Sequence, residues 1–120
     1  MKIRIMLVDD HEIVRNGVAN LIRRESDFEI VGEASDGESA VSLARETRPD
    51  VILMDVNMPV MDGIEATRII HEEFADVHII GFSVYEEELH RKAMLEAGAV
   101  DYFCKRGSTK DLIQKIRSNF

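Results

Sequence analysis

The sequence predicts an α/β protein: a single doubly wound sheet of five parallel strands with helices on both faces. Apolar runs alternate five times with amphipathic stretches along the 120 residues, and this length fits one domain, residues 1–120. The runs are almost continuously apolar, which is typical of parallel strands buried on both faces. We therefore expect right-handed crossovers that bring the loops after the strands to one edge of the sheet.

Five apolar runs predict the strands of this sheet. The second run is shorter and less uniformly apolar than the others, which suggests a position at the sheet edge. In chain order the runs are Ile3 to Val8, Phe28 to Val31, Val51 to Met54, Val77 to Phe82 and Val100 to Cys104.

Apolar residues at helical spacing follow each strand and predict five helices, each with one face to bury against the sheet. Ser35-Asp36-Gly37-Glu38 has the form of a capping box before the second helix, and Ser108-Thr109-Lys110-Asp111 resembles a cap for the last. The apolar stripes are Ile13, Val14, Val18, Leu21 and Ile22; Ala40, Val41, Leu43 and Ala44; Ile64, Ile69, Ile70 and Phe74; Leu89, Ala93, Met94 and Ala97; and Leu112, Ile113 and Ile116.

The composition excludes several classes of function. A net charge of −8 argues against a nucleic-acid-binding surface on this chain, since phosphate contacts need clustered Lys and Arg. No apolar run approaches the length of a membrane span, and the first residues have no signal-peptide pattern. The single cysteine, Cys104, suits a reducing compartment. We expect a cytoplasmic protein without a membrane partner.

Polar side chains follow four of the five predicted strands. Asp9 and Asp10 come after the first, Asp55 after the third, Ser83 after the fourth and Lys105 after the fifth. In open parallel sheets the functional site lies in the crevice outside the carboxyl ends of the strands. These five side chains are therefore expected on one rim.

Each of these residues also has an ordinary explanation when it is taken singly. Asp10 fits a helix cap, Ser83-Val84-Tyr85-Glu86 has the form of a capping box, and Lys105 fits a solvated surface lysine. Their convergence on one edge is what favours a functional site.

The chemistry of this rim points to a metal ion and a phosphoryl group. Two carboxylates about 5 Å apart repel by roughly 3 kcal/mol at an effective dielectric constant of ~20, so three of them require a cation. Only oxygen ligands are on offer, which favours a hard ion such as Mg²⁺. Lys105 and Ser83 would add a positive charge and a hydroxyl donor, and a carboxylate in this setting can itself be the nucleophile.

With these residues identified, the sequence resembles the receiver domain of two-component response regulators along essentially the whole chain. The resemblance rests on the acidic pair Asp9-Asp10, the block LMDVNMPVMDG around Asp55, Ser83 and Lys105. Tyr102, three residues before the lysine, falls on the switch-aromatic position of that family. The resemblance implies a flavodoxin-like (βα)5 fold with strand order 2-1-3-4-5.

The resemblance also implies a role for each site residue. Asp55 would accept the phosphoryl group, and Lys105 would contact it. Asp10 would bind Mg²⁺ directly and Asp9 partly through water, while Asn57 would contribute its backbone carbonyl; Mn²⁺ would be a substitute ion. The family resemblance makes the chain a signalling phosphoacceptor and not a turnover enzyme.

Two further residues would form the switch that the resemblance implies. Ser83 would move towards a phosphate oxygen after phosphorylation, and Tyr102 would rotate into the space vacated. The phosphoryl donor would be a phosphohistidine on a sensor histidine kinase, and phosphorylation-dependent homodimerisation is a further expectation.

The opening segment VDDHEIVRNGV is similar to the NarL/LuxR-like subgroup of this family. Those proteins carry a C-terminal helix-turn-helix domain that binds DNA and controls transcription. We expect that such a domain is missing from this chain, which stops at the end of its fifth helix.

Two alternatives from other classes share the predicted architecture. A haloacid-dehalogenase-like phosphatase needs a second Asp two residues after its nucleophile, where this chain has Asn57. A flavodoxin-like cofactor binder needs a phosphate-cradling loop after the first strand, where Asp9-Asp10 would repel a phosphate. The site residues therefore favour the receiver.

The four histidines lie on different predicted elements. They are His11, His71, His78 and His90, and surface positions are the ordinary expectation for all of them. We therefore expect no histidine among the metal ligands.

Overall fold

The computed structural model describes residues 2–58, 60–83, 88–105 and 107–119. Strands and helices alternate along these residues, as the apolar periodicity predicts. The elements are β1 (Ile3–Val8), α1 (Glu12–Arg23), β2 (Phe28–Ala34), α2 (Gly37–Thr47), β3 (Val51–Asp55), α3 (Gly63–Glu73), β4 (His78–Ser83), α4 (Glu88–Ala97), β5 (Asp101–Cys104) and α5 (Thr109–Ser118).

The strands form one parallel sheet in the order β2-β1-β3-β4-β5. This confirms both the doubly wound fold and the expected strand order. The order of the strands reverses between β1 and β3, because the chain first moves outward to β2 and later continues on the other side through β4 to β5. The carboxyl ends of β1 and β3 therefore flank the topological switch point, where open α/β sheets place their sites.

Two layers of apolar side chains cover the two faces of the sheet. One layer packs α1 and α5 against it through fully buried residues such as Ile22 and Ile116. The other packs α2, α3 and α4, with Ala44, Ile70 and Met94 in the contact. Full burial of each large apolar side chain stabilises the fold by about 1.5–3 kcal/mol. None of the helices described is long and apolar enough to cross a bilayer.

The second strand is longer than the predicted Phe28 to Val31, since β2 continues to Ala34. Gly32 and Glu33 break the apolar pattern, so periodicity does not reveal these last residues. They join the strand because they pair in register with the buried end of β1. In the sheet, β2 is the first strand in the order and pairs with β1, which confirms its predicted edge position.

The predicted cap of α2 is wrong by one residue. Asp36, and not Ser35, occupies the N-cap, and its carboxylate accepts a hydrogen bond of 2.7 Å from the backbone N–H of Ser39. The two residues are equally good caps in principle, so the tertiary position of the helix decides between them.

The predicted N-caps of three other helices differ in their outcome. Ser108 is confirmed as the cap of α5, since its side chain accepts from the backbone N–H of Asp111. His11 stands at the N-cap of α1 in place of Asp10, and makes no side-chain capping bond there. The capping box expected after Ser83 falls on Val84-Tyr85-Glu86, which lie outside the described residues.

Gly81 in β4 provides a test of how tightly the α2–α4 side of the sheet is packed. A Cβ at this position would lie 2.6 Å from Tyr102 Cδ1 and 3.2 Å from Met94 Cε. We expect Gly81→Ala to lower the free energy of unfolding by about 1–3 kcal/mol, because the ring would have to move. Urea unfolding monitored by circular dichroism measures this change.

The matched control is Gly17→Ala in α1, where a Cβ would meet nothing within 4 Å. That change should stabilise the protein by about 0.5–1 kcal/mol, because alanine is the better helix former. Equal stabilities of the two variants would contradict the packing described around Gly81.

Candidate functional site

The carboxyl ends of four strands bring the predicted polar residues to one edge of the sheet. Asp9 directly follows β1, Asp55 is the last residue of β3, Ser83 is the last of β4, and Lys105 directly follows β5. The parallel register aligns these ends, since Asp55 pairs with Phe82, the neighbour of Ser83. The rim expected from the sequence is therefore present in the fold.

A buried cluster of charged side chains connects the ends of β1, β3 and β5. Lys105 Nζ lies 2.5 Å from Asp9 Oδ2 and 3.5 Å from Asp55 Oδ1. The side chains are 8%, 4% and 5% exposed, respectively, so water screens this triad poorly. Lys105 is therefore not the solvated lysine that it could be when taken singly. One ammonium group faces two buried carboxylates.

The pKa of Asp55 is raised from 3.8 to about 7. Burial is the largest cause, because it disfavours the ionised carboxylate, and the nearby carboxylates Asp9 and Asp10 act in the same direction. Lys105 opposes them and lowers the pKa, but does not compensate fully. Asp55 near neutral pH thus favours either a proton or an additional cation.

His11 is exposed, as expected, but its ring also lies against the acidic residues. Its Nδ1 lies 3.2 Å from Asp9 Oδ1 and 3.1 Å from Asp10 Oδ1. Its backbone N–H also donates to Asp9 Oδ1 at 2.9 Å. In the sequence, His11 directly follows the acidic pair. A prediction that relies on histidine pairs at metal-ligand spacing gives this position no weight.

Arg15 is a second residue that sequence reasoning did not identify. Its guanidinium donates through Nη1 to the backbone carbonyl of Asp9 at 2.7 Å and through Nε to Glu33 Oε1 at 3.2 Å. Glu33 also lies 3.7 Å from Arg23. Arg15 therefore ties the loop after β1, which carries the acidic pair, to the end of β2.

The loop from β3 to α3 is held close to Asp55 by Gly63. The N–H of Gly63 donates to the carbonyl of Val56 at 2.9 Å, and a Cβ at this position would overlap the backbone carbonyl of Asp55. Only glycine therefore allows α3 to begin here. Asn57 lies in this loop and is exposed.

The two residues expected to form a switch occupy neighbouring strands. Ser83 is buried, and its carbonyl accepts a hydrogen bond of 2.6 Å from the backbone N–H of Lys105. Tyr102 in β5 is also buried and packs in the apolar layer beside Gly81 and Met94. Ser83 therefore lies at the acidic rim, whereas Tyr102 lies within the α2–α4 side of the sheet.

The acidic cluster (Asp9, Asp10 and Asp55) fits a divalent cation. One ligand atom from each of these residues and from His11 lies within 4.8 Å of the others. The cluster supplies the carboxylate oxygens that Mg²⁺ prefers, and its neighbouring carboxylates add to the burial that raises the pKa of Asp55. Such a cluster is typical of Mg²⁺ binding.

Comparison with known proteins identifies a family. Residues 5–117 match the model of the response regulator receiver domain. The transcriptional regulatory protein LiaR of Bacillus subtilis strain 168 is 44% identical over 116 residues, which cover 97% of this chain and 55% of LiaR. The chain spans about half the length of the curated relatives it matches.

Solved structures give the same result for the fold. A LuxR-family two-component response regulator from Aurantimonas sp. SI85-9A1 superimposes with a TM-score of 0.93 at 40% identity, covering 98% of this chain and 84% of that one. CheY of Borrelia burgdorferi, solved in a complex with CheX, BeF3 and Mg²⁺, gives a TM-score of 0.90 at 27% identity, covering 96% and 87%.

The stability of the metal-free protein should depend on the ionisation of Asp55. Because its pKa is raised from 3.8 to about 7 on folding, the stabilisation present at low pH is lost as the pH rises through this range. Three pKa units correspond to at most about 4 kcal/mol. We expect Asp55→Asn to reduce this loss and to raise the free energy of unfolding at pH 8, as measured by urea unfolding in a chelator.

Asp62→Asn is the matched control, since Asp62 is an exposed N-cap and asparagine caps equally well. It should reproduce the pH dependence of the wild type. If the free energy of unfolding of Asp55→Asn changes between pH 5 and pH 8 by as much as that of the wild type, Asp55 is not the group that causes the pH dependence.

Proposed function

Because this chain belongs to the family of response regulator receiver domains, we propose that it accepts a phosphoryl group on Asp55 from a sensor histidine kinase. The single observation that carries the proposal is the buried contact of Lys105 with both Asp9 and Asp55 at the carboxyl edge of the sheet. This contact holds the Asp55 carboxylate at a fixed position, where it faces a positive charge.

The transfer uses Asp55 as the nucleophile. A carboxylate oxygen forms a bond to phosphorus while the bond from phosphorus to the donor's histidine nitrogen breaks, and the electron pair of that bond remains on the imidazole. Lys105 is placed to compensate the charge of the phosphoryl oxygens. The product is an acyl phosphate on Asp55.

A Mg²⁺ ion would be held by the carboxylates of Asp9, Asp10 and Asp55 and by the backbone carbonyl of Asn57, with Mn²⁺ as a substitute. When it is bound, the ion supplies positive charge that stabilises the transferring phosphoryl group. The charge imbalance of the acidic cluster supports this assignment. The similar CheY of Borrelia burgdorferi was crystallised with Mg²⁺ and BeF3.

The residue two positions after Asp55 supports a signalling role over a phosphatase role. Asn57 cannot act as the general acid and base that a haloacid-dehalogenase-like phosphatase has at this position. The acyl phosphate on Asp55 should therefore hydrolyse slowly, which suits a signalling switch. A flavodoxin-like cofactor site is disfavoured because the loop after β1 carries the acidic pair.

The switch itself is assigned to Ser83 and Tyr102. The hydroxyl of Ser83, at the rim beside Asp55, would donate to an oxygen of the new phosphoryl group. Tyr102 would rotate into the space that Ser83 vacates, which would change the surface formed by α4, β5 and α5. Phosphorylation thus acts as a local charge that biases a two-state element.

The output is assigned to a part of the protein beyond these residues. The chain spans about half of relatives that are named transcriptional regulatory proteins, which supports residues 1–120 as the receiver of a longer cytoplasmic regulator. Its C-terminal part would be a helix-turn-helix domain, through which alone the protein would contact DNA. Phosphorylation-dependent homodimerisation would connect the two parts.

Intact-mass spectrometry tests the acceptor. After incubation with a small acyl phosphate, the wild type should gain one phosphoryl group in the presence of Mg²⁺ and none in a chelator. Asp55→Asn should gain none, whereas the control Asp62→Asn should behave as the wild type. A gain of the group by Asp55→Asn at the wild-type rate would exclude Asp55 as the acceptor.

Ser83→Ala tests the coupling from the site to Tyr102. The variant should still gain the phosphoryl group, but the change in acrylamide quenching of Tyr102 on phosphorylation should be less than half of that in the unsubstituted protein. The chain has two tyrosines and no tryptophan, so a Tyr85→Phe background isolates the signal.

Ser42→Ala, an exposed change on α2, is the control and should leave the response intact. A full response of Tyr102 in Ser83→Ala would remove Ser83 from the switch.

A further inference from the structure

His11 adds a nitrogen atom to a site that otherwise offers oxygen ligands. Its Nδ1 lies 3.1 Å from Asp10 Oδ1 and 3.2 Å from Asp9 Oδ1, and belongs to the same group of ligand atoms as Asp55, all within 4.8 Å. A single imidazole nitrogen thus contacts two separate carboxylates of the acidic cluster.

These distances match the spacing of neighbouring ligands around one small divalent ion. With bonds of about 2.1 Å, two ligands at right angles to each other are separated by about 3 Å. The separations of Nδ1 from the two carboxylate oxygens correspond to this value. Three ligand atoms from three consecutive residues can therefore share one coordination sphere.

A backbone hydrogen bond also attaches His11 to the cluster. The N–H of His11 donates to Asp9 Oδ1 at 2.9 Å, so the residue is attached to the cluster by its main chain as well as by its side chain. Arg15 in turn holds the carbonyl of Asp9 at 2.7 Å. The side chain of His11 is 63% exposed, which leaves the outer side of the site accessible to an entering ion.

The ligand type determines which ions gain from this arrangement. Mg²⁺ prefers oxygen ligands and gains little from imidazole, whereas Ni²⁺, Co²⁺ and Zn²⁺ bind imidazole nitrogen well. A mixed set of carboxylates and one imidazole therefore shifts the preference of the site towards borderline transition-metal ions.

We propose that His11 Nδ1 is a metal ligand of the acidic cluster and makes it a site for a divalent transition-metal ion such as Ni²⁺ in competition with Mg²⁺. This inference rests on the proposed function, since it assumes that the cluster is the metal site of the receiver. His11 determines the specificity for the ion, while the carboxylates provide most of the charge.

Isothermal titration calorimetry on untagged protein at one fixed pH tests this inference. Mg²⁺ and Ni²⁺ are titrated separately into the wild type, His11→Ala, Asp10→Asn and His71→Ala, a control that removes a histidine of α3. The ratio of the Ni²⁺ affinity to the Mg²⁺ affinity should fall at least about tenfold in His11→Ala. It should not change in His71→Ala. Thermal melting confirms that each variant is folded.

Co²⁺ provides an independent readout that does not depend on affinity. The visible d–d absorption of the Co²⁺-loaded wild type should change in His11→Ala, because an imidazole nitrogen is replaced by water in the coordination sphere. An identical spectrum in both proteins, or an unchanged affinity ratio, would overturn the role of His11.

The outcomes also separate this inference from the proposed function. An unchanged ratio in His11→Ala, together with Mg²⁺-dependent phosphorylation of the wild type, overturns the inference and leaves the proposed function intact. If Asp10→Asn alters the binding of neither ion and the wild type is not phosphorylated, the cluster is not the metal site and both fail.

Discussion

The buried contact of Lys105 with Asp9 and Asp55 is the constraint on which the functional edge depends. It connects the ends of β1, β3 and β5, and places one positive charge against two carboxylates with little water to screen them. Removing Lys105 would leave two buried carboxylates without their positive partner, which is strongly destabilising. The triad remains one positive charge short, and this adds to the burial that raises the pKa of Asp55.

This charge imbalance links the stability of the protein to its proposed signalling role. A cation at this site would offset the excess negative charge beside Asp55, so the proposed metal binding and the raised pKa share one physical origin. Surrounding residues keep the geometry fixed: Arg15 holds the loop after β1, and Gly63 allows α3 to begin against the backbone of Asp55. Rigid supports of this kind suit the proposed phosphoryl transfer, since positioning contributes much of such catalysis.

Particular residues show how far prediction from the sequence could go. The strand-end positions of Asp9, Asp55, Ser83 and Lys105 followed from the apolar runs that precede them. His11 and Arg15 were missed, because their roles depend on contacts with the acidic pair that no periodicity encodes.

The sequence by itself determined the element order, the parallel sheet and the residues that stand at its carboxyl edge, because hydrophobic periodicity and chain connectivity are local properties. Tertiary structure alone decided the extension of β2 to Ala34, the choice of Asp36 as a cap and the depth at which Asp55 is buried. These features depend on distances between segments far apart in the chain. The pKa of a carboxyl group depends on the same distances, since burial and neighbouring charges set it together.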